Sequence, residues 1–286
     1  MNEILNILPK DFPERLLEIP GAPTTLYYRG ALPDWDSKKF LAVVGSRKYS
    51  EYGKSACQKL IAGLTGQPVV IVSGLAIGID SIAHESALSA GLTTIAVPGS
   101  GLVDEVLYPK SNLNLAHRIV KSGGTLLSEF EPNAKTAPYF FPQRNRIMAG
   151  LAHAVLVIEA EEQSGTLITS RLATEYNRDV LTVPGSLFSE NTAGPHMLLK
   201  LGATPIRTSS DILEALHLET GAAQEKEMPH NLSAEEIKIL ELLREPREKE
   251  IIFEHLVLSI SEVNALLSMM EIKGLIKENL GLIHRA

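Results

Sequence analysis

The sequence has little cysteine, few aromatic residues and no excess of positive charge. Cys57 is the one cysteine among 286 residues, so an internal disulfide cannot form, and no Cys/His cluster has zinc-ligand spacing. Aromatic residues make up 5% of the chain. Lys and Arg number 27 against 34 Asp and Glu, which gives a formal net charge of −7. This balance argues against coating of duplex DNA by bulk charge, so any nucleic-acid site must be a local basic patch.

Long apolar runs are also missing. No stretch approaches the roughly 18–20 apolar residues that a membrane span needs. The N-terminal segment, MNEILNILPKDFPERL, has no basic region followed by an apolar one. A single cysteine fits a reducing compartment. We therefore expect a soluble, cytoplasmic protein without a membrane partner.

Residues 39–216 alternate short β-branched runs with stretches of helical length. This alternation predicts right-handed βαβ units and a doubly wound α/β domain with a mostly parallel sheet. The runs are almost continuously apolar, so the strands should be covered on both faces. The predicted strands are 40–46, 69–74, 93–99, 125–129, 153–160 and 179–185, and the predicted helices are 50–65, 81–90, 112–121 and 165–177.

The rest of the chain divides into three further zones. Residues 1–38 are rich in proline and are predicted to form an N-terminal arm laid on the α/β domain. Residues 217–231 are predicted to form a linker.

Residues 232–286 predict a helix capped near Ser233, helices around 249–256 and 260–273, and a terminal hairpin, which is the pattern of a small winged-helix domain. This zone holds 7 Lys/Arg and 10 Glu. Because a reader of duplex DNA needs a basic face, we interpret it as a protein-interaction module.

Small polar residues follow the carboxyl ends of the predicted strands, where open parallel sheets bind ligands. Glycines let a backbone approach a ligand closely, and helix N-termini offer unpaired N–H donors. Five such turns together predict an anion site, although each glycine alone could serve only turn geometry. The turns are Gly45-Ser46-Arg47, residues 73–80, residues 98–101, Ser164-Gly165-Thr166 leading to Thr169, and residues 184–186.

Several named chemistries have no support. The sequence contains no G-x-x-x-x-G-K-[ST] motif, and its first turn, VVGSRKYSEYG, is not G-x-G-x-x-G. It also lacks G-x-S-x-G and H-E-x-x-H. Asp80 and His84 could form an acid/base pair on one helix face. The alternative is that Asp80 caps a helix starting at Ser81 while His84 packs or bonds locally.

The basic residues are more specific. Arg47 ends the first strand, and Arg144 and Arg146 flank Asn145 in FFPQRNRIMAGLAH, which begins with Phe140. Guanidinium groups and an amide beside aromatic rings can hold phosphates while bases stack.

Two alternatives stay open at these positions. The arginines of residues 144–146 could instead pair with Glu129 or Glu131 and hold a loop. Lys110, in YPKSN, is equally explained as a phosphate contact or as an ordinary surface lysine.

Seven motifs, in order and with their spacing, resemble those of the DNA-processing protein A family, DprA, also called Smf. The resemblance runs from about Phe12 to Leu216, and the C-terminal 55 residues resemble the winged-helix appendage of many members more weakly. The motifs are VVGSR (43–47), SGLAIGIDSIAH (73–84), TIAVPGSGLVDEVLYPKSN (94–112), LLSEFEP (126–132), FPQRNRIMAGLAHAVLVIEA (141–160), SGTLITSRLATEYNRDVLTVPG (164–185) and GPHMLLKLGA (194–203).

The resemblance implies an extended Rossmann-like domain that binds single-stranded DNA without a nucleotide cofactor and is not an enzyme. It also implies a homodimer that protects incoming strands and loads the RecA recombinase past single-strand-binding protein during natural transformation. The family's strand-end arginine falls on Arg47, its Arg-Asn-Arg motif on 144–146 and its Ser-Gly-x-Leu-Ile-Thr motif on 164–169. The predicted DNA-binding residues are Gly45, Ser46, Arg47, Gly74, Gly78, Lys110, Phe140, Arg144, Asn145, Arg146, Ser164, Gly165 and Thr169, with Arg47 as the main phosphate contact.

The chain departs from the family in one respect. Many members carry an N-terminal helical domain of the sterile-alpha-motif type, and only about 38 residues precede the first predicted strand here, so we expect that domain to be missing or reduced. For the dimer, the apolar helix at His196–Leu201 is a candidate surface, with a core position as the alternative.

Two other functions remain open. Phosphoribohydrolases of nucleotide metabolism resemble this domain at Ser-Gly-Thr, but their catalytic Glu follows within a few residues. Here the next acid is Glu175, about two helical turns beyond Thr169. An adaptor that senses a mononucleotide is the third hypothesis.

Overall fold

The structure is a computed structural model that describes residues 3–219, 232–243, 247–256, 258–279 and 281–285. The chain divides into two compact units, Met1–Thr220 and Gly221–Ala286. Most of the predicted linker, 220–231, lies outside the described residues. Within the described parts of the chain, no helix has both the length and the apolar character that crossing a membrane requires.

The first unit is built on a nine-stranded sheet in the order β1-β2-β6-β5-β4-β3-β7-β8-β9. Strands β3 to β9 run parallel, while β1 and β2 are antiparallel additions beside β6. This confirms the predicted doubly wound, mostly parallel α/β fold. The strands are β1 Ile4–Ile7, β2 Leu26–Gly30, β3 Lys39–Val44, β4 Val69–Ser73, β5 Thr94–Ala96, β6 Thr125–Ser128, β7 Ala154–Val157, β8 Asp179–Thr182 and β9 Thr204–Pro205.

Helices cover both faces of this sheet. Because successive side chains of a strand point to opposite faces, Phe40 and Ala42 join one buried layer and Leu41 and Val43 the other. Helices α1 and α5 pack on the first layer, and α2, α3 and α8 on the second. The helices are α1 Glu14–Leu17, α2 Glu51–Ala62, α3 Ile79–Ser89, α4 Leu113–Lys121, α5 Phe140–Leu151, α6 Thr166–Glu175, α7 Ala193–Lys200 and α8 Ser209–Ala215.

The N-terminal residues are more than an arm laid on a finished domain. They supply β1 and β2 to the sheet, and α1 packs on α5, where a Cβ at Gly150 would lie 2.9 Å from Ile19 and 3.0 Å from Leu16. Such short strands among prolines give too little periodicity to be predicted. Helix α5 was not predicted either, because Pro142 stands in its first turn, the one part of a helix that tolerates proline.

The described residues of the second unit form three helices and a small antiparallel sheet. Helix α9 begins with a capping box, in which Ser233 Oγ accepts from the Glu236 N–H at 3.1 Å and the Glu236 carboxylate accepts from the Ser233 N–H at 2.8 Å. The sheet has the order β10-β12-β11. The helices and the hairpin follow in the order predicted from the sequence, and β10 is an additional strand beside the hairpin. The winged-helix assignment stays a prediction. The elements are α9 Ala234–Leu242, β10 Arg247–Glu248, α10 Lys249–His255, α11 Ile260–Ile272, β11 Ile276–Asn279 and β12 Leu282–Arg285.

Candidate functional site

A cleft of about 540 Å³ lies beyond the carboxyl ends of β3 and β7, between α5 and the start of α6. This is the edge where open parallel sheets bind ligands. The structure brings together in its lining Gly45, Ser46, Arg47, Arg144, Asn145, Ser164, Gly165 and Thr169, all predicted from the sequence. Their function in DNA binding stays a prediction.

Arg47 is an exposed cation of this cleft, beside the exposed Lys48. Its guanidinium carbon lies 5.5 Å from the centroid of the Phe141 ring, and within the described residues Arg47 makes no ion pair. The turn that begins α3 supports its backbone. The Ile79 N–H donates to the Ser46 carbonyl at 3.2 Å, and Gly78, with φ +92°, packs so closely that a Cβ would lie 2.6 Å from Arg47 Cα. The charge of Arg47 is therefore presented to the cleft from a fixed backbone.

Arg144 lies differently, although it is part of the same lining. Its side chain is buried, with Nη1 donating to the carbonyls of Gly74 and Val97 and Nε donating to Asn145 Oδ1 at 3.0 Å. Burial lowers the pKa of Arg144, and the charge of Asp80 opposes that shift. These bonds tie α5 to the ends of β4 and β5. Arg144 therefore braces the floor of the cleft, and whether it also contacts a phosphate remains a prediction.

Asp80 supports the same floor. Its carboxylate accepts from the N–H groups of Gly74 at 3.1 Å and Ala76 at 3.4 Å. Burial raises the pKa of Asp80, while the nearby charge of Arg144 opposes that shift. Gly74 has no room for a side chain, since a Cβ would lie 2.0 Å from Arg144 Nη1 and 2.5 Å from Asp80 Oδ2. The glycine after the second parallel strand is thus required by packing.

Five of the predicted residues lie outside the cleft lining, namely Gly74, Gly78, Lys110, Phe140 and Arg146. Arg146 Nη2 bonds the Glu129 carboxylate, which is the alternative that the sequence left open. Phe140 stacks on Phe130, with ring centroids 3.6 Å apart. Lys110 Nζ donates to the carbonyl of Asp104 at 2.6 Å. Arg146 and Phe140 point away from the cleft because both belong to α5, where neighbouring positions face different directions.

Phe141 is the aromatic residue that faces the cleft. The sequence offered both Phe140 and Phe141 beside the arginines, and the predicted DNA-binding set contained Phe140 alone. The Phe141 ring lies 5.9 Å from that of Tyr108, and both line a small adjoining cavity of about 50 Å³ with Arg47. Gly99 makes room for the ring, since a Cβ there would lie 2.8 Å from it. The Phe-Phe doublet was a signal for an aromatic wall, but choosing between its members requires the phase of α5.

His84 and Asp80 do not form an acid/base pair. The hydroxyl of Thr94 donates to the Ile71 carbonyl at 2.9 Å, so at 2.8 Å it accepts from His84 Nδ1. Burial lowers the pKa of His84 to about 3. The expected local bonding of His84 is therefore present. The expectation that Asp80 caps a helix starting at Ser81 is wrong, because α3 begins at Ile79 and Asp80 binds the preceding turn.

The N-terminus of α2, which also faces this edge, is already occupied. Glu159 is buried at the end of β7, and its carboxylate accepts from the Ser50 N–H at 2.9 Å and the Ser50 hydroxyl at 2.5 Å. The same hydroxyl accepts from the Gly53 N–H at 3.1 Å and caps the helix. Glu159 was not predicted, and it fixes the segment that carries Arg47.

A doubly wound sheet whose carboxyl edge carries a cleft, with an exposed arginine on an aromatic ring, defines the chain as a Rossmann-like protein with a cleft suited to an anionic ligand. The sequence model of the family DNA recombination-mediator protein A matches residues 3–217. The chain belongs to this family, which places it among proteins of DNA processing and recombination.

Named relatives agree with the assignment. DNA processing protein DprA of Streptococcus pneumoniae is 44% identical over 210 residues, which cover 73% of this chain and 72% of the relative. Protein Smf of Escherichia coli is 40% identical over 214 residues, covering 74% of this chain and 56% of the relative. The chain thus spans little more than half of the second relative.

Two solved structures are also similar. The X-ray structure of DprA from Streptococcus pneumoniae has a TM-score of 0.69 at 41% identity and covers 74% of each chain. The structure of DNA processing protein A from Helicobacter pylori has a TM-score of 0.67 at 28% identity and covers 76% of this chain and 98% of that one. The latter protein has a unique single-stranded DNA binding mode.

Proposed function

We propose that this chain binds single-stranded DNA in the cleft of its first unit, without a nucleotide cofactor and without catalysing a reaction. The observation that carries the proposal is Arg47, which lies over Phe141 at the cleft and forms no ion pair within the described residues. A guanidinium holds a phosphate, and the neighbouring ring offers a stacking surface for a base. A single strand exposes both groups, whereas a duplex hides its base faces.

The net charge of −7 supports a localised site. A negative surface repels nucleic acid elsewhere, so binding depends on the few cations at the cleft. Arg47 and Lys48 supply two of them. Glu175, the next acid after the Ser-Gly-Thr turn, is not part of the cleft lining, which favours a binding protein over a phosphoribohydrolase.

Membership of the family supports a finer role. We propose that the protein protects incoming strands as a homodimer in the cytoplasm and loads RecA onto them during natural transformation. For the dimer, the His196–Leu201 region offers a limited surface, because Leu198 is buried in the core while Leu201 is 75% exposed.

The variant Arg47→Ala tests the proposal. We expect it to weaken binding of a single-stranded oligonucleotide by about 1–3 kcal/mol, the loss typical of a charge-assisted contact. Fluorescence anisotropy at two salt concentrations measures the affinity, and the wild type should lose affinity as salt rises. If the cleft also serves loading, the same variant should fail to stimulate RecA on strands coated with single-strand-binding protein.

Arg118→Ala is the matched control, since Arg118 is an exposed arginine on α4 paired with Glu85 at 3.6 Å. It should leave the affinity unchanged. An unchanged affinity in Arg47→Ala would remove Arg47 from the site. Absence of oligonucleotide binding by the wild type, together with saturable binding of a mononucleotide, would favour the sensor hypothesis.

A further inference from the structure

A second groove, of about 370 Å³, runs along α2 in the first unit. One wall consists of Tyr52, Ser55, Ala56, Lys59 and Leu60. These positions follow the i, i+3, i+4, i+7, i+8 spacing of a single helix face. The opposite wall is the chain after β8 and β9, with Val183, Pro184, Ile206 and Arg207. From Tyr52 to Lys59 the groove extends about 10 Å along the helix.

The groove combines an apolar floor with cationic edges. Leu60, Val183 and Ile206 are buried beneath it, while Lys59 and Arg207 are exposed at its rim. In the part of the chain that the structure describes, no carboxylate lines the groove, and neither cation forms an ion pair. Apolar surface beneath two exposed cations suits a strand whose bases and sugars lie on the floor while its phosphates face the rim.

Two acids, Asp211 and Glu51, lie near the groove without lining it. The Asp211 carboxylate accepts from the N–H groups of Arg207 and Thr208, at 2.8 and 2.9 Å, at the start of α8. The pKa of Asp211 is lowered by these bonds and by the charge of Arg207, against the opposing effect of burial. Glu51 points to Lys54, at 3.5 Å, on another face of α2. Asp211 therefore offsets part of the charge of Arg207, while Lys59 has no carboxylate partner among the described residues.

Tyr52 joins this groove to the cleft. Its ring is held in place because its hydroxyl donates to the Pro184 carbonyl at 2.5 Å, and the residue is still 52% exposed. Four residues separate it from Arg47, and among them Lys48 accepts, through its carbonyl, from Asn191 at 2.8 Å. The loop that follows β8 thus contacts both the rim of the cleft and the entrance of the groove, so one surface connects the two.

The two walls are fixed to each other. The Ser209 hydroxyl donates to the Leu60 carbonyl at 2.9 Å, and the Ile206 N–H donates to the Thr182 carbonyl at 2.8 Å. A groove built between such fastened elements needs no rearrangement to accept a strand, and a preformed surface loses less free energy to ordering on binding.

We propose that this groove continues the path of single-stranded DNA beyond the cleft, with Tyr52 stacking on a base and Lys59 and Arg207 each contacting a phosphate. The proposal rests on the proposed function of the cleft, and it predicts a dependence on strand length. A strand too short to leave the cleft does not reach the groove, whereas a longer one occupies both.

The test compares oligothymidylates of about 6 and about 20 nucleotides. We expect the double variant Lys59→Ala/Arg207→Ala to bind the long strand about tenfold more weakly and the short strand unchanged. The slope of log affinity against log salt for the long strand should fall by about 1.4, or 0.7 per lost phosphate contact. The matched control, Arg118→Ala/Lys121→Ala, removes equal charge from α4 and should not change either affinity.

Tyr52 provides a separate measurement that does not depend on charge. Tyr52→Ala should weaken only long-strand binding, and Tyr52→Phe, which keeps the ring, should restore it. Equal weakening of both lengths by Lys59→Ala/Arg207→Ala, or weakening no greater than in the control, would overturn the groove assignment.

The two proposals fail separately. Arg47→Ala should weaken binding of both lengths, so a length-dependent groove effect without an Arg47 effect would retain the groove and reject the cleft. The opposite pattern would retain the cleft and reject the groove.

Discussion

The two arginines that the sequence singled out, Arg47 and Arg144, differ in how exposed their side chains are. Arg47 and Arg144 line the same cleft, but Arg47 is exposed and Arg144 is only 6% exposed, with its donors on backbone carbonyls. A buried guanidinium that satisfies three polar partners contributes to the shape of the site. We therefore expect Arg47 to act on the ligand and Arg144 to act mainly through the floor of the cleft.

The strand-end residues were predictable because they depend on local rules. A polar turn after each apolar run places Gly45, Ser46 and Arg47 at the binding edge whatever the rest of the fold does. Local rules could not show which of Phe140, Phe141 and Arg146 faces the cleft. Their directions depend on the phase of α5 and on partners such as Phe130 and Glu129, which are distant in sequence.

His84 makes stability depend on pH. Its pKa is about 3 in the folded protein and about 6.5 in the unfolded chain, so unfolding takes up a proton below pH 6.5. Its contribution is complete above pH 6.5 and is lost as pH falls. His84→Asn can still donate to Thr94, and we expect it to remove about 2 kcal/mol of the stability change between pH 7 and pH 5. Urea unfolding at both pH values measures this.

His153 provides a comparison for that measurement. Burial, together with the charges of Arg15, Lys39 and Arg178, lowers its pKa to about 4. His153→Asn should therefore reduce the same pH dependence by a similar amount. If the dependence is unchanged in His84→Asn, His84 does not exclude a proton in the folded state.

At the level of elements, the N-terminal segment completes the buried layer that also contains α5, the helix that carries cleft residues. Helix α1 packs on α5, which carries Phe141, Arg144 and Asn145 of the cleft. The sequence predicted strands β3 to β8 and helices α2, α3, α4 and α6, because their apolar periods are strong. It did not predict β1, β2, β9, α1, α5 and α8, since each is short or begins with residues that also favour loops.

Leu16 tests this packing. It is fully buried, whereas its neighbour Leu17 is 44% exposed. Leu16→Ala should lower the free energy of unfolding by about 2–5 kcal/mol, because it removes buried methyl groups and leaves a cavity. Leu17→Ala should change it by less than about 0.5 kcal/mol. Chemical denaturation compares the two, and equal effects would show that the N-terminal segment is not part of the core.

At the scale of the whole molecule, an acidic protein carries a localised cationic site. The first unit holds the cleft and the groove, while the second unit combines three helices and a small sheet with an excess of Glu over Lys and Arg. We interpret this division as a strand-binding unit followed by a protein-interaction unit. The loss of apolar period after residue 216 predicts a linker and a second domain. The sequence could not predict the groove, because α2 and the chain around Arg207 meet only in the fold.

Photocrosslinking of an oligonucleotide that contains 5-iodouracil tests the central claim most directly. The reagent reacts with an aromatic ring on which the base stacks, and digestion of the intact protein identifies the crosslinked peptide. The account predicts a crosslink at Phe141, with a reduced yield in Arg47→Ala. Crosslinks confined to the second unit, or to the first-unit face that carries α4, would contradict binding in the cleft.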